Sequence, residues 1–186
     1  EMLFQEMAGN LVEELRSKQV RKIVTCDPHA YNSLKNEYPE FGGYFDVIHH
    51  TELIDELMTT NRLNVREQFE KVIYHDPCYL ARHNGVIDQP RNILDRITSD
   101  RPLEFEMKKE KSMCCGAGGG RMWMEETIGT RINETRVNQA LEKEPKVIAT
   151  GCPYCLIMME EATGNKGIKE QVQPKDIAEL VLESLV

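Results

Sequence analysis

The stretch KVIYHDPCYLAR at residues 71–82 decides the fold, because a short apolar run passes through a proline turn into a helical segment. KVIATGCPYC at 146–155 repeats this order, and RKIVTCDPH at 21–29 resembles both. Each apolar run has the length and the β-branched content of a strand. Strands that alternate with helices form parallel sheets with helices on their faces. The three stretches therefore predict an α/β protein.

The rest of the chain continues this alternation. Strands are expected at 21–25, 45–50, 71–75, 103–107 and 146–150, and helices at 30–38, 51–59, 78–82, 89–97, 129–144, 153–162 and 175–185. We expect two Rossmann-like lobes with mostly parallel sheets and a boundary near residues 60–70. Open α/β sheets bind ligands at the carboxyl ends of their strands, so we expect the functional site there.

The composition is ordinary for a globular protein, with 186 residues of which 40% are hydrophobic and 29% charged. The net charge of −8 argues against a nucleic-acid partner, which needs a basic surface. No apolar run has the length of a membrane span, and no signal peptide opens the chain. The chain starts at Glu1 in a helical pattern, so we expect a piece of a longer protein with further domains before it. We expect a cytoplasmic location, with any membrane association provided by that preceding part or by a partner protein.

The cysteines carry the main chemical signal, and they lie at positions 26, 78, 114, 115, 152 and 155. In a chain of this kind cysteines are more often ligands or redox groups than disulfides. Cys152 and Cys155 have C-x-x-C spacing at a helix start, which puts both sulfurs on one face near N–H groups that favour thiolates. Zinc, iron–sulfur and thioredoxin-like sites all use this spacing.

Two adjacent cysteines, Cys114 and Cys115, precede Gly116 in KSMCCGAGGGRMW at residues 111–123. Adjacent side chains rarely serve one apolar pocket, and glycines cost backbone entropy unless something must approach the backbone. A vicinal disulfide or a bulky inorganic group would explain the pair, and the glycine loop can form a concave nest of N–H groups for an anion. With Cys78 at a strand-to-helix turn, five thiols can converge at one sheet edge.

Five thiols are more than a single zinc ion binds, since zinc takes four ligands. They are also one more than an ordinary four-cysteine iron–sulfur cluster needs. A zinc site with a spare cysteine and buried thiols packed as small apolar groups are the alternatives.

The spacing of the five cysteines resembles that of a known family. Between Cys78 and Cys114 lie 35 residues, between Cys115 and Cys152 lie 36, and Cys155 follows after two more. This pattern resembles the cysteine-rich CCG domain found in heterodisulfide reductase and its relatives.

The flanking residues narrow the resemblance. They read HDPCYLARHNGV at 75–86, CCGAGGGRMWMEE at 114–126 and INETRV at 132–137. These stretches are most similar to the C-terminal part of iron–sulfur-binding oxidoreductases that accept electrons from electron-transferring flavoprotein. The resemblance covers essentially the whole chain.

The resemblance implies a noncubane [4Fe-4S] cluster. Its ligands would be Cys78, Cys114, Cys115, Cys152 and Cys155. Gly116 and the glycines after it would let backbone N–H groups approach the sulfides and tune the reduction potential. His75 would donate a hydrogen bond to cluster sulfur or move protons, and the alternative is a turn histidine bonded to backbone. After preparation in air the site would be empty or hold zinc.

The family carries two such motifs in tandem, and this chain holds the end of the first. Residues 1–65 would be the C-terminal part of a first, degenerate CCG lobe, and residues 66–186 a complete lobe. Relatives often read C-P-H-C where this chain reads CDPHA at 26–30. Cys26 and His29 could still form a C-x-x-H metal site, and an inert thiol is the alternative.

Three functions compete. The first is an electron-transfer oxidoreductase domain that relays electrons from electron-transferring flavoprotein or a ferredoxin-like partner to an acceptor such as a quinone. The second is catalytic disulfide reduction at the cluster, as in heterodisulfide reductase. The third is a zinc-stabilised interaction module without a redox role. The cysteine spacing favours the first two, and the degenerate first lobe favours the first over the second.

Overall fold

The computed structural model describes residues 1–186 and contains two parallel β-sheets. The smaller sheet pairs β1 with β2, and the larger has the strand order β4-β3-β5-β6. The strands are β1 Lys22–Thr25, β2 Asp46–His49, β3 Val72–His75, β4 Leu103–Glu104, β5 Val147–Thr150 and β6 Gln173–Asp176. All neighbouring strands run parallel. The expected α/β fold with parallel sheets is confirmed.

Helices connect and cover the strands. They are α1 Met2–Ser17, α2 Pro28–Asn32, α3 His50–Thr59, α4 Cys78–Ala81, α5 Asp88–Ile97, α6 Ile132–Leu141, α7 Pro153–Asn165 and α8 Ile177–Glu183. A π-helical turn at Ser33–Glu37 and 3-10 turns at Tyr38–Phe41, Lys109–Lys111 and Gly118–Trp123 complete the set. None of these helices is both long and apolar enough to span a lipid bilayer.

The core lies on both faces of the larger sheet, and the central strands β3 and β5 are buried along their whole length. Val72 and Tyr74 pack with residues of α5 and α8 on one face. Ile73 packs with residues of α6 and α7 on the other. Because strand side chains alternate between faces, His75 at the end of β3 is on the α6–α7 side. The functional residues described below share that side.

The end of the chain differs from the expected single helix over 175–185, because β6 precedes α8 there. Pro174 weakened the strand signal in the sequence. Proline donates no ladder hydrogen bond and is therefore confined to edge strands, and β6 is an edge strand. Asp176 then caps α8, since its carboxylate accepts the N–H of Ala178 at 2.8 Å.

Three other expected elements differ in extent. The helix expected at 30–38 starts earlier, as α2, and continues as the π-helical and 3-10 turns. The strand expected at 103–107 pairs with β3 only over Leu103–Glu104. The helix expected at 129–144 is shorter, because α6 covers Ile132–Leu141. Local patterns indicate the element type, whereas caps, fraying and strand pairing set where an element ends.

The boundary expected near residues 60–70 falls between α3 and β3. Val65 forms an isolated bridge with Leu185 there, and Phe69 forms one with Thr98. The first third of the chain also packs on the larger sheet's helices, through contacts of α3 with α5 and α8. The division of the chain at residue 65 remains a prediction.

Candidate metal centre

Five of the six cysteines line one cavity of about 60 Å³ at the carboxyl ends of β3 and β5. They are Cys78, Cys114, Cys115, Cys152 and Cys155. β3 and β5 are neighbours in the sheet and run parallel, so the turns that follow them lie side by side. The 3-10 turn at Gly118–Trp123 follows the adjacent pair and brings the glycine loop to the same edge. We call this space the cysteine cavity.

The helix starts explain the placement of the C-x-x-C pair. Cys152 is the N-cap of α7 and has extended backbone dihedrals, and Pro153 occupies the first helical turn without needing a hydrogen-bond partner. The Cys155 thiol and the backbone N–H groups of Cys155 and Tyr154 donate to Cys152, which lowers the pKa of Cys152. The N-terminus of α7 thus stabilises a thiolate at Cys152.

Gly116 is required by the backbone that follows the adjacent cysteines. Its φ is +94°, and a Cβ placed there would lie 3.0 Å from Cβ of Ile132 and 3.4 Å from the backbone N of Asn133. Its N–H donates to Sγ of Cys114 at 3.3 Å. The backbone thus reaches the thiol of Cys114, and the role of Gly116 toward cluster sulfides remains a prediction.

The thiols contact one another and so cannot ionise independently. Hydrogen bonds from Cys115 and Cys78 lower the pKa of Cys114 well below its usual range. Those same contacts raise the pKa of Cys78 and, together with burial, raise that of Cys115 to about 12. Contacts with Cys115 and Cys152 and complete burial raise the pKa of Cys155. A positive group is needed before all five can become thiolates, and a multi-iron cluster or a zinc ion would provide it.

Burial is uneven around the cavity. Cys115, Cys152 and Cys155 are buried, whereas Cys78 and Cys114 are half-buried. The site is therefore dry on one side and approachable on the other, which suits electron exchange with a partner.

His75 lies beside these sulfurs, and its role as a donor to cluster sulfur remains a prediction. One of its ring nitrogens and the sulfurs of Cys115 and Cys155 lie within 4.8 Å of one another. Nδ1 accepts a hydrogen bond from Nε of Arg136 at 3.1 Å, and Nε2 is buried without a partner. Burial and the Arg136 charge lower the pKa of His75 to about 3, so the ring is neutral at neutral pH.

Arg136 is a site residue that the sequence reading missed. It is fully buried on α6, and its guanidinium carbon lies 3.4 Å from the ring centroid of Phe105. The available signal was its position, since an arginine four residues after Ile132 and four before Ala140 interrupts the apolar stripe of the helix.

A half-buried arginine anchors the turn between His75 and Cys78. Arg91 donates from Nη1 and Nη2 to the two carboxylate oxygens of Asp76 at 2.8 and 2.9 Å, and from Nε to Glu104 at 2.8 Å. Asp76 also accepts the backbone N–H of Lys109 at 2.8 Å. Bidentate pairs of this kind hold a fixed geometry. The turn that presents Cys78 is therefore tied to β4 and to the segment before the adjacent cysteines.

The C-x-x-H combination of Cys26 and His29 is not assembled at this cavity. His29 lines the cavity and stacks with Tyr79 at 4.2 Å between ring centroids, whereas Cys26 is exposed and lies outside its lining. The backbone carbonyl of Cys26 contacts Nε2 of His49 at 3.3 Å. Cys26 therefore differs from the other five cysteines in its surroundings.

An open pocket of about 280 Å³ adjoins the cysteine cavity and shares His29, Gly118 and Tyr154 with it. Met122 and Trp123 line this pocket, and Trp123 is 82% exposed. Trp123 is therefore a surface residue beside the cavity and not part of the core.

Comparisons with known proteins agree with this geometry. The profile of the cysteine-rich CCG domain family matches residues 72–160. A probable iron-sulfur-binding oxidoreductase, FadF of Bacillus subtilis, is 48% identical over the whole chain, which spans 26% of that protein. The EtfAB:quinone oxidoreductase of Syntrophomonas wolfei is 39% identical over the whole chain, which spans 27% of it.

A third relative comes from Methanosarcina barkeri. One polypeptide of the dihydromethanophenazine:CoB–CoM heterodisulfide reductase of Methanosarcina barkeri is 33% identical over 97% of the chain and 44% of that polypeptide. The chain thus spans about a quarter to a half of the length of these relatives. The matched segment contains all five cavity cysteines, and the chain accordingly carries, at residues 72–160, a domain of the cysteine-rich CCG family.

Proposed function

We propose that this chain is the iron–sulfur domain of an oxidoreductase and holds a noncubane [4Fe-4S] cluster in the cysteine cavity. The ligands are Cys78, Cys114, Cys115, Cys152 and Cys155. The observation that carries the proposal is that these five thiols, and not Cys26, line a single cavity. When bound, such a cluster supplies one-electron redox chemistry.

The donor set supports an iron–sulfur cluster over a zinc ion. Zinc in a structural site takes four ligands, so five thiols around one cavity would leave one thiol unused beside the metal. The Gly116 N–H bonded to Cys114 and the unpartnered Nε2 of His75 are donors of the type that stabilise cluster sulfur. A zinc-stabilised module without a redox role remains the outcome that the metal analysis below would reveal.

The chain's own residues give the site its properties. Cys115, Cys152 and Cys155 exclude water on the inner side, and the fully buried Arg136 adds a positive charge behind His75. The half-buried Cys78 and Cys114 leave the outer side open to a redox partner. Gly116 supplies a backbone donor at the open side.

We propose that the complete protein passes electrons from an electron-transferring flavoprotein or a ferredoxin-like partner to an acceptor such as a quinone. Support comes from the names of the relatives, one of which is an EtfAB:quinone oxidoreductase. Residues 1–65 form the end of a first, degenerate CCG lobe in this proposal, and residues 66–186 form the complete lobe. Further domains, and any attachment to a membrane, lie in parts of the protein outside this chain.

Catalytic disulfide reduction is the second candidate. The open pocket of about 280 Å³ beside the cysteine cavity favours it, because a small molecule could reach the outer thiols there. The similarity to part of a heterodisulfide reductase points the same way. Against it, Asp27 and Ala30 replace ligands of a second cluster, and Cys26 is outside the cavity.

The test is a metal analysis of the chain purified without oxygen. Iron, acid-labile sulfide and zinc are measured per chain and combined with EPR of the same sample. We expect about four irons and about four sulfides. Cys115→Ser should lose or convert the cluster, whereas Cys26→Ser should retain it, which makes Cys26 the matched control.

The contrary results are distinct. Zinc alone after anaerobic reconstitution with iron and sulfide would overturn the proposal in favour of a structural site. Full iron and sulfide content in Cys115→Ser would overturn the ligand assignment. Turnover of a disulfide substrate by the loaded chain would favour the second candidate.

A further inference from the structure

The two ring nitrogens of His75 have different surroundings, and these settle where the ring carries its hydrogen. Nδ1 faces Nε of Arg136 at 3.1 Å. Arginine has only donors and keeps its charge in proteins, so Nδ1 must accept this hydrogen bond. A neutral imidazole whose Nδ1 accepts carries its hydrogen on Nε2.

Nε2 has no hydrogen-bond partner within the chain, although it is buried. One ring nitrogen of His75 lies within 4.8 Å of the sulfurs of Cys115 and Cys155, and Nε2 is the ring nitrogen that Arg136 leaves free. A buried donor without a partner destabilises the fold, and sulfur acceptors at this position would offset that loss.

Arg136 itself is held too firmly to act as a mobile group. Nη1 donates to Oε1 of Gln139 at 2.9 Å, and Nη2 donates to the carbonyl of Met107 at 3.2 Å and to Oγ of Ser112 at 3.3 Å. Its guanidinium also stacks on Phe105. Every one of these partners is uncharged.

A buried guanidinium without a carboxylate partner is costly unless negative charge is close by. Arg136 takes part in none of the ion pairs of the chain, and Asp76 is engaged by Arg91. The charges that act on Arg136 are the Asp76 carboxylate, which Arg91 already pairs, and the thiol of Cys155 in the cysteine cavity. The arginine is thus placed to balance thiolates across one imidazole ring.

We propose that Arg136 is a positioning residue that fixes His75 as an Nε2–H donor toward the Cys115 and Cys155 sulfurs and thereby excludes His75 from the ligand set. His75, Cys115 and Cys155 are close enough together to suggest a metal-binding triad. A metal would need the lone pair of Nε2, and the hydrogen that Arg136 keeps there blocks it. The effect on a cluster rests on the proposed function, whereas the tautomer does not.

The first experiment uses the metal-free, reduced chain with ¹⁵N-labelled histidine. In the wild type, NMR should show His75 with hydrogen on Nε2 and none on Nδ1. Arg136→Lys keeps the charge but cannot reproduce the Nε donor, so it should give a mixture of tautomers. Arg131→Lys, at the start of the same helix, should leave His75 unchanged. A wild-type ring protonated on Nδ1 would overturn the proposal whether or not the variants fold.

The second experiment uses the chain loaded with its cluster. His75→Gln should retain iron and sulfide, because the side chain at position 75 is not a ligand in this proposal. The glutamine amide can still donate a hydrogen bond. Arg136→Lys should shift the reduction potential to more negative values, since the donor is no longer held. Iron loss in His75→Gln equal to that in Cys155→Ser, or an unchanged potential in Arg136→Lys, would overturn the proposal. A wild type without a cluster would instead count against the proposed function.

Discussion

Gly116→Ala provides the sharpest test of the site's backbone geometry. The alanine would have to adopt a φ of +94°, which costs an L-residue about 1–2 kcal/mol. Its Cβ would also lie 3.0 Å from Cβ of Ile132, the first residue of α6. Overpacking of this kind typically costs about 1–3 kcal/mol. We therefore expect the free energy of unfolding to fall by about 3 kcal/mol, which corresponds to roughly 6–12 °C in Tm for a chain of this size.

Two neighbouring glycines separate the two causes. Gly119 has a φ of +67° but nothing within 4 Å of a new Cβ, so Gly119→Ala should lose only the backbone part, about 1–2 kcal/mol. Gly118 has neither a positive φ nor a close neighbour, so Gly118→Ala should be neutral or slightly stabilising. The expected order of destabilisation is Gly116→Ala, then Gly119→Ala, then Gly118→Ala.

The assay is guanidinium unfolding of the three reduced, metal-free variants beside the wild type. A Gly116→Ala variant within about 0.5 kcal/mol of Gly118→Ala would refute the reasoning, because that is the range of a neutral surface change. Iron incorporation should fall in Gly116→Ala, since the shifted backbone carries Cys114 and Cys115. Gly119→Ala should incorporate iron normally.

Three further predictions follow from buried groups. Arg91→Met leaves Asp76 buried without its partner and should lower the free energy of unfolding by about 3–5 kcal/mol in a guanidinium titration. Burial lowers the pKa of His49 from 6.5 to about 3, so acidification should destabilise the fold; His49→Asn should reduce the loss of stability measured between pH 7 and pH 5.5. At neutral pH the metal-free chain should be alkylated at Cys114 at least about tenfold faster than at Cys78, as followed by peptide mass mapping, because thiolates are the reactive form.

The sign of the His49 effect follows from proton binding. Between pH 6.5 and about 3 the unfolded chain holds a proton on this ring that the folded chain does not. The stability is therefore fully present above pH 6.5 and is lost toward acidic pH, by at most about 1.4 kcal/mol per pH unit. Asparagine can replace His49 as the N-cap of α3 without titrating. Equal pH dependence in the wild type and in His49→Asn would contradict the prediction.

Each of the other two predictions has its own control. The double variant Asp76→Asn with Arg91→Met should recover part of the loss, because it leaves no unpaired buried charge. Failure to recover any stability would mean that the pair acts through packing and not through charge. Cys78 and Cys114 line the same cavity and are both half-buried, so alkylation of Cys78 as fast as Cys114 would contradict the opposite directions of their pKa shifts.

The location of the site could be predicted from the sequence for those residues that directly follow strands. Cys78 and Cys152 come directly after β-branched runs, and parallel neighbouring strands end at one edge of the sheet, so their meeting was predictable. The pair at Cys114 and Cys115 was recognisable because adjacent thiols beside glycines have little structural use. Cys26 also follows a strand, yet it is exposed and lies outside the cavity, whereas His29 from the same turn lines it.

By itself, the sequence determined the alternation of strands and helices, the position of the C-x-x-C pair at a helix start and the family to which residues 72–160 belong. Those features depend on residues close together in the chain. Only the tertiary structure decided that β6 forms in spite of Pro174, that His29 reaches the cavity and that Nε of Arg136 donates to Nδ1 of His75. The physical reason is distance along the chain: a strand edge, a cavity wall and a hydrogen bond between residues 61 positions apart exist only after packing brings separate segments together.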